Sequence, residues 1–73
     1  MAEETLVSAV TGSVWKIEIQ EGQPVAAGGA VMILESMKME IPIEATIAGV
    51  VFKLMVKEGD SVEEGQAVAV IKG

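Results

Sequence analysis

The residue best placed to do chemistry in this chain is Lys38, which stands at the centre of the run Glu35-Ser36-Met37-Lys38-Met39-Glu40. Strand-like segments flank the run, Ala30 to Leu34 on one side and Ile41 to Ile43 on the other, so it reads as a solvated hairpin turn presenting one amine. Most turn lysines are ordinary surface residues, and Glu35 and Glu40 are expected to sit beside each other on the strand ends rather than to cage the charge. Met37 and Met39 are harder to explain. Two large apolar side chains beside a tip need either packing at the hairpin base or a partner, and flexible thioethers suit adaptable contact with several proteins in turn. Ser36-x-Lys38 has the composition of a Ser/Lys nucleophile pair, but a small chain without an oxyanion-hole turn or a pocket-forming insertion gives it no setting. Gly28-Gly29 lacks the glycine pattern and nearby lysine of a phosphate loop and reads as a turn. Asp60, Glu63 and Glu64 lack the alternating oxygen ligands of a calcium loop and read as a solvated face. No catalytic residue and no metal ligand is assigned.

Composition narrows the chemistry further. There is no cysteine, which removes disulfides, thiolate metal sites and thiol catalysis, and no histidine, which removes imidazole acid–base work. Tyrosine and arginine are absent too. Five lysines against eleven acidic residues give a net charge of −6, and no basic cluster interrupts it, so nucleic acid is not an expected partner. Although 51% of the residues are hydrophobic, the uncharged stretches are Gly-rich or too short to span a bilayer, so no membrane association is expected. The N-terminal Met-Ala-Glu-Glu-Thr is acidic and has no signal-peptide pattern, and a cytoplasmic location is the expectation. Acidity of this size also favours a soluble monomer.

The elements that must position Lys38 come from a duplicated half. Residues 12–35 align with residues 49–72 at an offset of 37, with Gly12/Gly49, Val14/Val51, Lys16/Lys53, Glu21/Glu58, Gly22/Gly59 and Val25/Val62 among the identities. Gly28/Gly65, Ala30/Ala67 and Val31/Val68 continue the match, and Trp15/Phe52 and Leu6/Ile43 keep apolar character. Two copies of one supersecondary unit imply a pseudo-two-fold fold. Val14 to Ile19 and Val50 to Val56 read as strands closed by the turns Glu21-Gly22 and Glu58-Gly59, and a second glycine turn leads to Ala30 to Leu34 and to Ala67 to Ile71. Trp15, Ile17 and Ile19 share one face by simple alternation, yet Val14 and Val51 are apolar as well, which points to a bulge near Lys16 and Lys53. Glycine or proline interrupts most ten-residue windows, and no apolar stripe of period 3.6 survives across those that remain, so no helix is expected.

An all-β chain of this length buries its apolar faces as two small antiparallel sheets in a sandwich, or as a flattened barrel. Lys38 lies in the hairpin joining the halves. Its symmetry mate falls just past residue 73, so the chain ends are expected at the end of the molecule remote from the lysine. Pro42 suits an edge strand or a strand start.

The two glycine-turn repeats, Val-Trp-Lys-Ile-Glu-Ile-Gln-Glu-Gly and Val-Phe-Lys-Leu-Met-Val-Lys-Glu-Gly-Asp, together with Glu-Ser-Met-Lys-Met-Glu-Ile-Pro-Ile, resemble the biotin/lipoyl attachment domain family. The likeness is greatest to single-domain biotin/lipoyl attachment proteins and biotin carboxyl carrier domains. It implies that residues 1–73 form one biotinyl domain, a barrel-sandwich hybrid of two four-stranded antiparallel sheets with the lysine on an exposed tip. It further implies covalent biotin on Lys38, recognition through the flanking Met37 and Met39, and a hairpin context supplied by Glu35, Ser36 and Glu40. The implied partners are a biotin protein ligase using biotinyl-AMP, a biotin carboxylase using ATP and bicarbonate, and a carboxyltransferase acting on an acyl-CoA or keto acid. The domain itself would be a non-catalytic carrier of a biotin-dependent carboxylase or decarboxylase. Lipoate on the same lysine is the second candidate cofactor, although lipoyl domains typically carry Asp-Lys-Ala where this chain has Met-Lys-Met. An unmodified interaction module of the same fold is the third reading. Ala9-Val10-Thr11 stands where the family often carries a proline-methionine segment, and there is no room for the "thumb" insertion of some bacterial carriers or for a Pro/Ala-rich linker.

Overall fold

The computed structural model describes residues 2–73 as eight strands and no helix. They are β1 (Glu3–Val7), β2 (Gly12–Ile17), β3 (Pro24–Val25), β4 (Ala30–Ser36), β5 (Met39–Glu44), β6 (Gly49–Leu54), β7 (Ser61–Val62) and β8 (Ala67–Lys72). One antiparallel sheet has the order β1-β8-β6-β3 and the other β5-β4-β2-β7. Adding 37 to the residue numbers of the first half turns one order into the other, so the sequence repeat is a structural two-fold. Each sheet takes its central pair from one half and its edge strands from the other. Neither half can therefore complete a sheet alone. Among the described residues no helix is long and apolar enough to cross a membrane.

The core follows the same pairing. Val14 and Val51, Val31 and Val68, Leu34 and Ile71, Leu6 and Ile43, and Val25 and Val62 are all buried at symmetric positions. Burying an aliphatic side chain of this kind contributes about 1.5–3 kcal/mol, so both sheets gain equally from the shared interior. The one large mismatch is Met32 against Ala69, both fully buried.

The bulges lie where the sequence places them, with the register shifting between Val14 and Lys16 in β2 and between Val51 and Lys53 in β6. Their consequence corrects the alternation expected for β2. Trp15 does not share the inward face of Ile17 and Ile19: Val14 is 2% exposed, whereas Trp15 is 49% exposed and its mate Phe52 57%. The extra residue at each bulge resets the alternation, sending the valine inward and the aromatic ring outward, while Ile17 and Ile19 pack against the core. β2 and β6 also end at Ile17 and Leu54, two residues short of the segments expected from composition.

The in-register glutamates of the repeat close these strand ends. The Ile17 N–H donates to the Glu58 carboxylate at 2.9 Å, and the Leu54 N–H donates to the Glu21 carboxylate at 2.7 Å. Each half thus caps a strand of the other. The turns holding these carboxylates need positive φ at Gly22 (88°) and Gly59 (92°), a region open to glycine at little cost.

The molecule measures 36 × 19 × 18 Å. From the hairpin, β2 leads from Gly12 to Ile17 beside the two-fold axis, and β6 leads from Leu54 on to Gly49 beside the chain ends. At that far end the Gly73 N–H donates to the Ala2 carbonyl at 2.8 Å, at the positions that correspond to Ser36 and Met39. Ala2 and Gly73 therefore sit at the end of the molecule opposite Lys38.

Candidate functional site

β4 and β5 pair as far as Ser36 opposite Met39, which leaves a two-residue loop of Met37 and Lys38. Their φ angles are 52° and 65°, the only positive values at non-glycine residues among those described. Two central residues with positive φ in a two-residue hairpin define a type I′ turn, whose twist matches that of the flanking strands and which usually holds Asn-Gly. Side chains with a Cβ resist this region by about 1–2 kcal/mol each. The hairpin thus carries Met and Lys where local preference alone would not put them.

The turn projects all of its distinctive groups into solvent. Met37 is 92% exposed and Met39 64%, so neither methionine packs on the hairpin base. Lys38, Glu35 and Glu40 are exposed, and Ser36 is half-buried. Glu35 and Glu40 face each other across the β4–β5 pair, as their spacing predicts. Like charges directly opposite are mildly unfavourable in a sheet. Among the described residues the ion pairs are Lys16–Glu18 at 3.3 Å and Lys72–Glu3 at 3.8 Å, and neither involves Lys38. β5 is an edge strand, which accommodates Pro42 with its missing donor.

Ser36, expected as part of the hairpin context, is tied from below through Thr11 to Glu64. The Ser36 hydroxyl donates to the Thr11 carbonyl at 2.9 Å, and the Thr11 hydroxyl accepts the Glu64 N–H at 3.1 Å. Gly12 lies against the same strand: a Cβ there would fall 2.3 Å from the Glu35 carbonyl oxygen. The repeat marks Gly12 but gives no sign of Thr11 or Glu64, whose bonds cross 25 and 53 residues of sequence.

The other candidates occupy structural roles. The Asp60 carboxylate accepts the Lys57 N–H at 2.9 Å within a turn, and among the described residues no group of three His, Cys, Asp or Glu could hold a metal. Gly28 N–H donates to the Ala45 carbonyl, fixing the Gly28-Gly29 turn against the second half. Lys72 lies over the Phe52 ring at 3.7 Å. Of the five lysines, Lys38 alone sits in a hairpin tip.

The site is thus an exposed amine at the apex of a hairpin turn with exposed apolar flanks. The family profile described as "Biotin-requiring enzyme", the biotin/lipoyl family, matches residues 4–71. The "Biotin/lipoyl attachment protein" of Bacillus subtilis (strain 168) is 46% identical over 41 residues, 56% of each chain. "Biotinylated protein TB7.3" of Mycobacterium tuberculosis (strain ATCC 25618 / H37Rv) is 44% identical over 45 residues, 62% of each. These alignments therefore span less than two thirds of either relative. Among solved structures, the urea carboxylase of Kluyveromyces lactis superposes with a TM-score of 0.91 at 44% identity, covering 99% of this chain and 6% of that one. A single-chain, multi-domain long-chain acyl-CoA carboxylase gives a TM-score of 0.86 at 29% identity over 93% of this chain and 7% of its own. Fold, hairpin and sequence converge on one conclusion: the chain belongs to the biotin/lipoyl attachment family, whose domains are typically non-catalytic carriers.

Proposed function

We propose that this domain is a biotin carboxyl carrier in which Lys38 is the single residue acylated by a biotin protein ligase. The observation that carries the reading is the type I′ turn itself, which lifts one lysine between two solvent-exposed methionines. Relatives named as biotinylated and structural neighbours within carboxylases support it. The residues fit the group. Lys38 offers an amine without an ion-pair partner among the described residues, and Met37 and Met39 offer apolar contact on both sides of it.

In the attachment step the Lys38 nitrogen attacks the acyl carbon of biotinyl-AMP, an amide bond forms, and AMP leaves with the acyl-phosphate bond broken. Forming the amide releases a proton from the attacking amine, and the ligase must take up that proton. The chain supplies position: the turn fixes the Cα of Lys38 while its flexible stem extends into the ligase. Once attached, biotin supplies the acceptance and release of CO2, and the domain supplies tether, orientation and recognition. The partners of the loaded carrier are a biotin carboxylase and a carboxyltransferase.

Co-expression with a biotin protein ligase and free biotin, read by intact mass and peptide mapping, tests the reading. One biotin is expected on Lys38 and none on Lys16, Lys53, Lys57 or Lys72. Lys38→Arg should abolish labelling yet stay folded, since an exposed substitution shifts stability by less than about 0.5 kcal/mol. Biotin on any of the other four lysines, or labelling that persists in Lys38→Arg, refutes it.

A further inference from the structure

The internal two-fold provides a control for every residue at the lysine end. Features shared by both ends belong to the fold, and features present at one end alone need another reason. Gly12 and Gly49 are shared: a Cβ at Gly12 would lie 2.3 Å from the Glu35 carbonyl oxygen, and one at Gly49 would lie 2.2 Å from that of Lys72. The backbone approach is thus the same at both ends. The side-chain chain above it is not. Ser36, Thr11 and Glu64 are linked at the lysine end, whereas the corresponding positions hold Gly73, Ala48 and Ala27. The replacements at the two bonding positions, Gly73 for Ser36 and Ala48 for Thr11, have no hydroxyl to donate or accept.

The hairpin needs such support. Its turn holds two non-glycine residues at positive φ, its base holds the like-charged pair Glu35 and Glu40, and its outer strand is a sheet edge. All three favour departure from the observed shape. The Ser36 hydroxyl ties the last residue of β4 to the loop before β2, and the Thr11 hydroxyl ties that loop to the turn before β8. We propose that Ser36 and Thr11 are positioning residues, a clamp in series that holds the hairpin in the shape a modifying ligase binds. Neither hydroxyl bonds the amine, and the clamp acts through the population of the competent hairpin. A ligand that binds only a fraction of a population shows an apparent affinity reduced by that fraction.

This inference rests on the proposed ligation of Lys38, and its test separates the two. Initial rates of biotin incorporation by a biotin protein ligase are measured against domain concentration for wild type, Ser36→Ala, Thr11→Val, the double variant and Thr11→Ser. Thermal unfolding and amide hydrogen exchange are followed on the same samples. Ser36→Ala and Thr11→Val should each raise KM about twofold to tenfold, the range set by one net hydrogen bond, with kcat and the unfolding midpoint nearly unchanged. The double variant should match Ser36→Ala, because the second tie has no purpose once the first is gone. Thr11→Ser keeps the hydroxyl and should keep the wild-type KM. Exchange should accelerate in the β4–β5 pairs next to the turn and nowhere else. An unchanged KM with unchanged exchange in folded Ser36→Ala overturns the clamp, as does a KM rise that merely tracks global unfolding. If wild type takes no biotin at all, the ligation reading fails, and hydrogen exchange alone then decides whether the clamp exists.

Discussion

The two ends of this molecule are built on the same strand pattern and finished for opposite purposes. At the lysine end β4 and β5 are joined covalently through Met37 and Lys38, while at the far end β8 and β1 meet without a connecting turn. The far end compensates with side chains. Lys72 reaches Glu3 and covers the Phe52 ring, and the Glu4 carboxylate accepts bonds from the Thr46 hydroxyl and N–H. Those Thr46 bonds, the hydroxyl first, hold the Glu4 carboxyl below the usual carboxylate range. At the lysine end the positions equivalent to Lys72 and Glu3 are Glu35 and Glu40, so the attractive pair becomes a repulsive one, and Trp15 has no cation above it. One end is tied together by an ion pair and side-chain hydrogen bonds. The other opposes Glu35 and Glu40 and leaves its methionines and its lysine exposed.

The largest expected effect lies at the tip. Met39 corresponds to Ala2 at the far end, and the methionines are the chief apolar feature that the lysine end adds. Placing an unpaired aspartate in an apolar ligase contact costs several kcal/mol. Met37→Asp with Met39→Ala should therefore cut the rate of biotinylation by more than about tenfold. The variant should remain folded, because aspartate tolerates positive φ better than methionine does. Competitive labelling with biotin and lipoate ligases, read by intact mass, checks the outcome. Equal uptake of lipoate by wild type would show that the methionines do not select the cofactor.

A smaller effect sharpens the division between fold and site. Gly12→Ala and Gly49→Ala each force a Cβ into a carbonyl of the neighbouring strand. Overpacking of this kind costs about 1–3 kcal/mol and sometimes more. Thermal unfolding should show similar losses for the two, as the symmetry requires. Labelling of the folded fraction should fall only for Gly12→Ala, since that strand leads into the hairpin. A matching fall for Gly49→Ala would mean that the two ends are coupled through the core.

Much of this was legible in the chain because the duplication writes each structural requirement twice. The glycine turns, the bulges and the apolar core positions recur at matching offsets, and a residue kept in both copies is one the fold needs. Glu21 and Glu58 were visible in that way, although their role, capping a strand of the opposite half, required the two halves to be interleaved. β3 and β7 were not visible: two residues each, one of them beginning at Pro24, carry no periodicity. Simple alternation puts Trp15 on the face of Ile17 and Ile19, and the bulge that the apolar Val14 signals turns the ring outward instead. The Ser36–Thr11–Glu64 link was illegible for the opposite reason to the core. It occurs once, joins residues far apart in sequence, and uses residue types common in any loop.

On the proposed reading, the place of Lys38 in the turn matters more to a ligase than its exposure does. Lys38→Met combined with Met39→Lys tests it with composition and charge unchanged. Residue 39 is itself 64% exposed, but it belongs to β5 and pairs with Ser36 rather than crowning the turn. Intact mass after incubation with a biotin protein ligase, ATP and biotin should show a folded, unmodified domain. Efficient biotinylation at residue 39 would contradict the account, showing that the ligase needs only an accessible lysine near the tip.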